Sequence, residues 1–350
     1  MTSAVPADRQ ELLAAVARKP RVADVAARAG VSTATVDRVI NGRGGVRQRT
    51  VTRVEEAIRS IVGIDQPARI ADGPLPRFDV ILAGDGAQSV KALAEALGDL
   101  GAVHGLRLEV DFVELMNPAA LAARLRRCIA HDSDGVIVQV LDHALVRDAF
   151  DALAQAGIPV VTVLTDIAGA DRLAYVGLDN RAAGRTAGFL MGGLCPGPGK
   201  LAVVWAGQLY RSHEERDAGF RSYLRNERPE LECLEVITGV DKHKVTRARL
   251  GEIIAGHTDI VGIYCVGAGV AGAADAVRDA GLERPIAMIA HNFNADTRPY
   301  LLSGTIHAVI HQNMTRIATL ALDCLRTRQA LPGHVGIPIE IVTRENMMYR

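Results

Sequence analysis

The segment from Val22 to Asn41, VADVAARAGVSTATVDRVIN, leaves this chain few choices. Apolar residues at Val22, Val25, Ala26 and Ala29 recur at i, i+3, i+4 and i+7, which gives a short helix one inward face. Gly30 follows as a helix stop, and Ser32 offers an N-cap hydroxyl for the turn after it. The second helix turns Val36, Val39 and Ile40 inward and leaves Thr33, Ala34, Thr35, Asp37 and Arg38 outside, with Asn41-Gly42 closing it. Helix, tight turn and helix make the helix-turn-helix geometry, in which the second helix lies in the DNA major groove and presents its N-terminal outer residues to base edges. An α-hairpin with no DNA role has the same outline, so charge must separate the two.

Residues 1 to 64 hold 11 Lys and Arg against 6 Asp and Glu, while the rest of the chain holds 29 against 34 and the whole is neutral. Positive charge gathered at one end of a neutral protein suits a polyanion at that end. A third helix, Arg47 to Ile61, with Val51, Val54, Ile58 and Ile61 on one side, completes a small core.

The run Asp24-Val-Ala-x-x-Ala-Gly-Val-Ser-x-x-Thr-Val-x-Arg-Val-x-Asn41, followed by Val46 and Thr50, resembles the lactose-repressor (LacI) family of bacterial transcription regulators. The resemblance implies that Thr33 and Ala34 meet bases, that Arg38 is the groove arginine, and that Ser32, Thr35, Asn41 and Thr50 cap helices or face the DNA backbone. Arg47 would contact phosphate. Asp37 departs from the family's small polar residue, and it either pairs with a neighbouring arginine or accepts from a cytosine amino group.

A chain of 350 residues is too long for this headpiece alone. We divide it into a headpiece at 20–62, a linker at 63–77 and an effector-binding and dimerisation domain at 78–350. Residues 62 to 77 carry three prolines and two glycines, as an extended linker does. Many members of the family have there a hinge helix whose leucine wedges into the minor groove; this chain has Ala68-Arg69-Ile70-Ala71, without that leucine. Residues 1–20 have no family counterpart, and either an extra helix through Leu12, Leu13 and Val16 or disorder fits them. The uncharged run Ile260 to Ala274 is Gly/Ala-rich and shorter than the ~20 apolar residues that cross a bilayer. With no secretory leader read at the N-terminus, a cytoplasmic protein is expected. Five scattered cysteines without a CxxC pair are expected to be reduced core residues.

From Phe78 apolar strands alternate with helices. Strands are predicted at 78–83, 106–113, 135–140, 159–164, 173–178, 200–205, 231–238, 260–266, 285–290, 305–311 and 337–343, with helices such as 90–103, 121–130, 144–156, 182–194 and 245–255 between them. Repeated strand-helix-strand units imply parallel sheets, and more than ten strands imply two sheets. Two Rossmann-like lobes would face each other across a cleft at their strand ends. Segments such as Asp134-Gly135-Val-Ile-Val, Val176-Gly177-Leu-Asp179-Asn180 and Glu215-Arg216-Asp-Ala-Gly219-Phe220 resemble the type I periplasmic-binding-protein-like domain of the same family. The fold class is thus a small all-α helix-turn-helix headpiece joined to an α/β two-lobed domain of two parallel sheets. Crossings between lobes are expected near Leu164 to Ile167, Ala290 to Asn294 and Thr327 to Gly336, giving lobe 1 at 78–164 and 293–326 and lobe 2 at 167–290 and 336–350.

Competing motifs are weak. Gly267-Ala-Gly269-Val-Ala-Gly272 is a literal GxGxxG after a strand, which would suit an NAD(P)-dependent oxidoreductase, but the next strand ends in Ala290-His291-Asn292 rather than an acid. Cys195-Pro-Gly-Pro-Gly199-Lys200 lacks the glycine and the hydroxyl of a phosphate loop. His307 and His311 share a strand face without a nearby acid or cysteine at ligand spacing. No catalytic triad has local support, so neither enzyme activity, cofactor nor metal is expected.

The resemblance also implies an effector cleft. It places Asp166 at the family's cleft acid, Arg216 at the arginine for ligand hydroxyls or carboxylates, Asn292 at an acid that grips a hydroxyl pair, and Gln312 at a wall amide. Gln88 and Asp142 would line strand ends, and Trp205 would stack a sugar or cap a strand. An Asp166–Arg216 ion pair across the lobes is the structural alternative. Asn292 for an acid and Gly267 for a polar residue both remove sugar-binding groups. The expected protein is a homodimeric (or tetrameric) DNA-binding transcription regulator, a repressor of a catabolic or transport operon. Its partners would be double-stranded operator DNA and a sugar, polyol or sugar acid as effector, with no membrane. A solute-binding protein of a sugar transport system is the alternative.

Overall fold

The computed structural model describes residues 22–40, 50, 51, 53, 54, 57, 75–84, 87–114, 116–205, 209–238, 242–267, 269–282, 284–328 and 334–347. They belong to two compact units, Met1–Pro74 and Leu75–Arg350.

In the first unit, α1 (Val22–Ala29) and α2 (Thr33–Ile40) are joined by Gly30 at φ +60°. That left-handed turn costs glycine little, and it lets Val31 N–H reach the Ala26 carbonyl at 3.0 Å. Ser32 Oγ accepts from Thr35 N–H at 3.2 Å, so the N-cap forms as the sequence predicts. Val25, Ala26, Ala29, Val36 and Val39 pack with Val54 and Ala57 of the next helical stretch into one core, with Val51 at its edge. The predictions at residues 1–20, Ile40's side chain, Asn41, Arg47, Ile58, Ile61 and the linker up to Pro74 lie outside the described residues.

The second unit contains two six-stranded sheets. Its first lobe runs β1 (Arg77–Ala83), α3 (Gln88–His104), β2 (Arg107–Val113), α4 (Pro118–Ala130), β3 (Gly135–Val138), α5 (Ala144–Gln155), β4 (Val160–Val163) and β5 (Ala174–Gly177). The second runs α6 (Asn180–Leu194), β6 (Gly199–Trp205), α7 (Arg211–Glu227), β7 (Leu231–Thr238), α8 (His243–Gly256), β8 (Ile260–Cys265), α9 (Val270–Asp279), β9 (Ala287–His291), α10 (Arg298–Leu302) and β10 (Ala308–His311). The chain then returns with α11 (Met314–Thr327) and β11 (His334–Gly336) to the first sheet and ends in β12 (Glu340–Val342) in the second.

Strand orders are β2-β1-β3-β4-β5-β11 and β7-β6-β8-β9-β10-β12, parallel except where β12 runs antiparallel to β10. Each order reverses direction once, at β1/β3 and at β6/β8, and such switch points open a crevice at the carboxyl ends of the strands. Both sheets are covered on two faces. Val80, Leu82 and Ile137 join one core cluster, while Ile81, Val136 and Val138 of the same strands join another with Leu121, Leu125 and Phe150. Aliphatic side chains of either parity are thus buried, which is why these strands read as continuous apolar runs. All five cysteines are free, four of them buried, and burial raises the Cys128 and Cys233 thiols to about 11.

The crossings differ from the expected ones. β5 stays in the first sheet, pairing in parallel with β4 through Val161–Ala174 to Val163–Val176, although no helix separates the two strands. The first crossing therefore follows Gly177 rather than Leu164. β10 belongs to the second sheet, paired with β9, so the second crossing lies between His311 and Met314 rather than at 290–294. β11, which the sequence reading missed, adds to β5, and the third crossing falls between Gly336 and Glu340. Strand pairing decides lobe membership, and the alternation of strands and helices carries no information about it.

Candidate functional site

On α2, Thr33, Ala34, Asp37 and Arg38 are exposed and fall at i, i+1, i+4 and i+5, a single helix face. Ser32 and Thr35 are tied together by their hydroxyls at 2.9 Å behind that face. Thr50 is half-buried, and Arg53 Nη2 donates to the Gly30 carbonyl at 3.4 Å, pinning the turn. The face is built as a reading surface is, with its cap spent on the helix and its outer side chains projecting.

In the second unit a cleft of about 280 Å³ lies at the carboxyl ends of both sheets. The first lobe contributes the start of α3 (Gln88, Ser89), Gln139 after β3, and Leu164 and Thr165 after β4. The second contributes the start of α7 (Ser212, His213, Arg216), Gly267 and Gly269 to Gly272 around the start of α9, His291 and Asn292 after β9, and Gln312 after β10. Two bonds tie the lobes at its edge: Ser212 N–H donates to Thr165 Oγ1 at 3.2 Å, and Asp142 N–H to the Leu209 carbonyl at 3.0 Å. Leu164 and Asn292, both on the wall, sit at φ +65° and +64°. Asparagine tolerates that region and leucine does so only under strain, a feature that collects at ligand sites.

Arg216 is the centre of the wall, with 3% of its surface exposed. Its Nε donates to Asn180 Oδ1 at 2.8 Å and its Nη1 to the Val266 carbonyl at 2.7 Å. Asn180 in turn donates to Tyr175 Oη at 2.9 Å, and Tyr175 donates to the Leu178 carbonyl at 3.1 Å, so a neutral relay runs from β5 in the first lobe to α7 in the second. Burial lowers the pKa of Arg216 and raises that of Tyr175. Opposite, Gln312 donates from Nε2 to Asn292 Oδ1 at 3.0 Å, and its Oε1 is buried with no partner among the described residues.

Gly184 and Gly219 set this geometry. A Cβ on Gly184 would lie 1.9 Å from the Arg216 carbonyl oxygen, and one on Gly219 2.2 Å from that of Arg181. Two helix backbones therefore touch behind Arg216. In the GxGxxG stretch, a Cβ on Gly267 would meet His213 Nε2 at 2.3 Å and one on Gly272 the His243 carbonyl at 2.4 Å. Those glycines bring α7, α8 and α9 together.

Of the residues named for the cleft, Gln88, Arg216, Asn292 and Gln312 line it, and Asp142, Asp166 and Trp205 do not. Asp166 accepts from Thr162 Oγ1 at 2.8 Å and is held by Arg172, so neither the cleft acid nor the Asp166–Arg216 pair exists here. Asp142 is held by Arg147. Trp205 packs half-buried at the end of β6, edge-on to His213 of the cleft wall with ring centroids 6.4 Å apart. His307 and His311 each use Nδ1 to accept a backbone N–H, from Met288 and Phe293 at 3.2 Å. Sequence reasoning missed Gln139, Thr165, His213 and His291, whose only signal was their place just past a strand end or at a helix start.

His291 gives the cleft a pH dependence. It is 1% exposed, bonds Tyr264 Oη through Nε2 at 2.8 Å, and burial first, then Arg216, push its pKa well below the ordinary ~6.5. As pH falls through that ordinary value the unfolded chain takes up a proton that the folded chain refuses. Stability held above about pH 6.5 is therefore lost below it. Urea midpoints at pH 7.5 and 5.5 should drop in the wild type, and His291→Gln should flatten that drop.

The comparisons agree with this construction. Residues 21–61 match the model of bacterial regulatory proteins of the lacI family, and residues 86–329 match the periplasmic binding protein domain. Among curated protein sequences none matches the chain. Similar solved structures include an ABC transporter solute binding protein from Burkholderia graminis in complex with D-arabinose (20% identity, 80% of this chain and 99% of that one, TM-score 0.75). GanP, a glucose-galactose binding protein from Geobacillus stearothermophilus, is similar at 21% identity over 79% and 99%, with a TM-score of 0.73. A sugar-binding protein from Bacillus halodurans follows at 24% over 78% and 99%, TM-score 0.69. At these identities the likeness establishes the fold. With the headpiece model preceding the cleft-bearing domain in one chain, this protein belongs to the periplasmic binding protein domain family and, as a DNA-binding regulator, to the lacI family of bacterial regulatory proteins.

Proposed function

We propose that the chain is an effector-gated transcription repressor, with a sugar, polyol or sugar acid bound in the cleft between its lobes. The observation that carries this is the joining of a headpiece whose α2 face is exposed to a second unit whose strand ends enclose a polar cleft around Arg216. The sugar-binding proteins of the same fold supply the class of ligand. Closure of the lobes on the ligand would shift the balance between two conformations and so the spacing of two headpieces. An enzyme reading loses its support, because the glycines of the GxGxxG stretch are occupied by helix packing.

Two headpieces require a homodimer, reading a two-fold operator in cytoplasmic DNA. Strand β2 is the outer strand of its sheet, with Phe112 exposed at 53%, and that edge is where a second copy would sit. The tandem order disfavours a transport role.

Thr33, Ala34 and Arg38 are the proposed base contacts, Ser32, Thr35, Asn41 and Thr50 the capping or backbone-facing residues, and Arg47 a phosphate contact. On a DNA site selected from a random pool, Arg38→Ala should weaken specific binding by about 1–3 kcal/mol and relax the preference at one base pair. Arg47→Ala should weaken all DNA alike. Equal loss of specific and random DNA in Arg38→Ala would remove Arg38 from base reading. The experiment for the function as a whole is thermal unfolding of the full chain against sugars, polyols and sugar acids, since a ligand stabilises the state it binds.

A further inference from the structure

We infer that the effector is a polyhydroxylated carboxylic acid, its carboxylate on Arg216 and its hydroxyls on Gln312 and Asn292. This rests on the cleft's being the effector site.

Arg216 is a buried cation whose hydrogen-bond partners among the described residues, Asn180 Oδ1 and the Val266 carbonyl, are both neutral. Elsewhere in the protein a buried arginine is neutralised: Arg124 reaches Asp79 at 2.7 Å and Asp111 beside it. The acids near Arg216 are committed to other cations, Glu215 to Arg211 at 2.7 Å, Asp217 to Arg221 at 2.9 Å, and Asp166 to Arg172. A buried charge without a counter-charge is costly, and buried arginines are as a rule paired. The side of Arg216 that its neutral partners leave faces the cleft, and no acid among the described residues pairs with it, so a negative charge on the ligand fits there.

The rest of the wall has the same polarity. Helices α3, α7 and α9, of 17, 17 and 10 residues, all begin on the cleft, and none has a side-chain cap. The Ser212 N–H of α7 is spent on Thr165 Oγ1, but the partial positive charge at the three helix starts still favours an anion. Asp296 is the lone acid on the wall among the described residues, and it lies exposed at the rim. Of the histidines, His243 pairs with Asp275 at 2.9 Å, His291 is neutral by burial, and His213 stands between Trp205 and Tyr210.

Gln312 adds the hydroxyls. It is 3% exposed, its amide nitrogen is given to Asn292, and its oxygen has no donor among the described residues. A ligand hydroxyl can donate to that oxygen, which a bare anion cannot do. A single guanidinium that has already spent Nε and one proton of Nη1 matches a singly charged carboxylate better than a doubly charged phosphate.

The test is calorimetry on the full-length protein with D-galacturonate, D-glucuronate, D-gluconate and D-galactonate against D-galactose, D-glucose, D-glucitol, galactitol and D-glucose 6-phosphate. At least one acid should bind tenfold or more tighter than its neutral counterpart. Asn292→Asp, which sets a carboxylate beside Gln312, should reduce that ratio at least tenfold with an unchanged melting temperature of the free protein. A neutral sugar binding as tightly as its acid, or the sugar phosphate binding more tightly than every acid, overturns the carboxylate assignment while leaving the effector site in place. Silence from all nine compounds overturns both.

Discussion

Arg216→Ala should abolish the effector response. The substitution removes the one buried cation of the cleft among the described residues, 3% exposed and held by Asn180 and Val266. A ligand carboxylate closed into that space would be an uncompensated buried charge, and breaking such a pair costs about 3–5 kcal/mol, or roughly two to four orders of magnitude in affinity. A neutral hydroxyl ligand would lose about 1.5–3 kcal/mol, the value of a hydrogen bond to a charged group. Arg216→Gln, which keeps a donor for Asn180, separates loss of charge from loss of structure. Calorimetry reads the affinity and thermal unfolding of the free protein reads the fold. Wild-type affinity in the folded variant would make Arg216 structural.

The second large effect is expected far from any ligand atom. Gly184→Ala replaces a helix-interior glycine, and by propensity alone should stabilise by roughly 1 kcal/mol. The new Cβ, however, would stand 1.9 Å from the carbonyl oxygen of Arg216, and that obstacle is backbone. No rotamer change relieves it, so α6 and α7 must separate. Overpacking of this kind costs about 1–3 kcal/mol and more where backbone must move, so the net effect is a loss. The shift also carries Arg216 away from Asn180, and effector affinity should fall with stability. Gly219→Ala, opposed by the Arg181 carbonyl at 2.2 Å, should behave alike, whereas Gly193→Ala, with open space around it, should not. Denaturant midpoints of the three variants decide the matter, and equal midpoints would mean that the helix contact is not tight.

These glycines illustrate what was legible in the sequence. Spacing announced the helix of Gly184 through its apolar face, but not that its bare face meets another backbone. The headpiece was legible because its constraints are local: a glycine stop, a serine cap and the 3.6-residue period act within ten residues of each other. The inner strands of both lobes were legible because a parallel sheet covered on two faces buries their side chains of either parity. Lobe membership of β5 and β10 was not, since it depends on pairings such as His334 with Tyr175, 159 residues apart in the chain. In the cleft, Arg216, Asn292, Gln312 and Gln88 were placed by family resemblance at positions the structure brings together. Asp166 and Asp142 failed because an acid at a strand end has two fates, ligand or neighbour. Arg172 and Arg147 took them, and nothing in the linear order marks those partners.

The central claim is that occupancy of the cleft changes DNA binding. It is tested most directly by fluorescence anisotropy on a DNA site selected from a random pool by the full-length protein, titrated with and without a saturating amount of the compound that most raises its melting temperature. The DNA Kd should change at least tenfold, which corresponds to about 1.4 kcal/mol of coupling. A DNA Kd that stays constant while calorimetry shows the cleft filled would contradict the account.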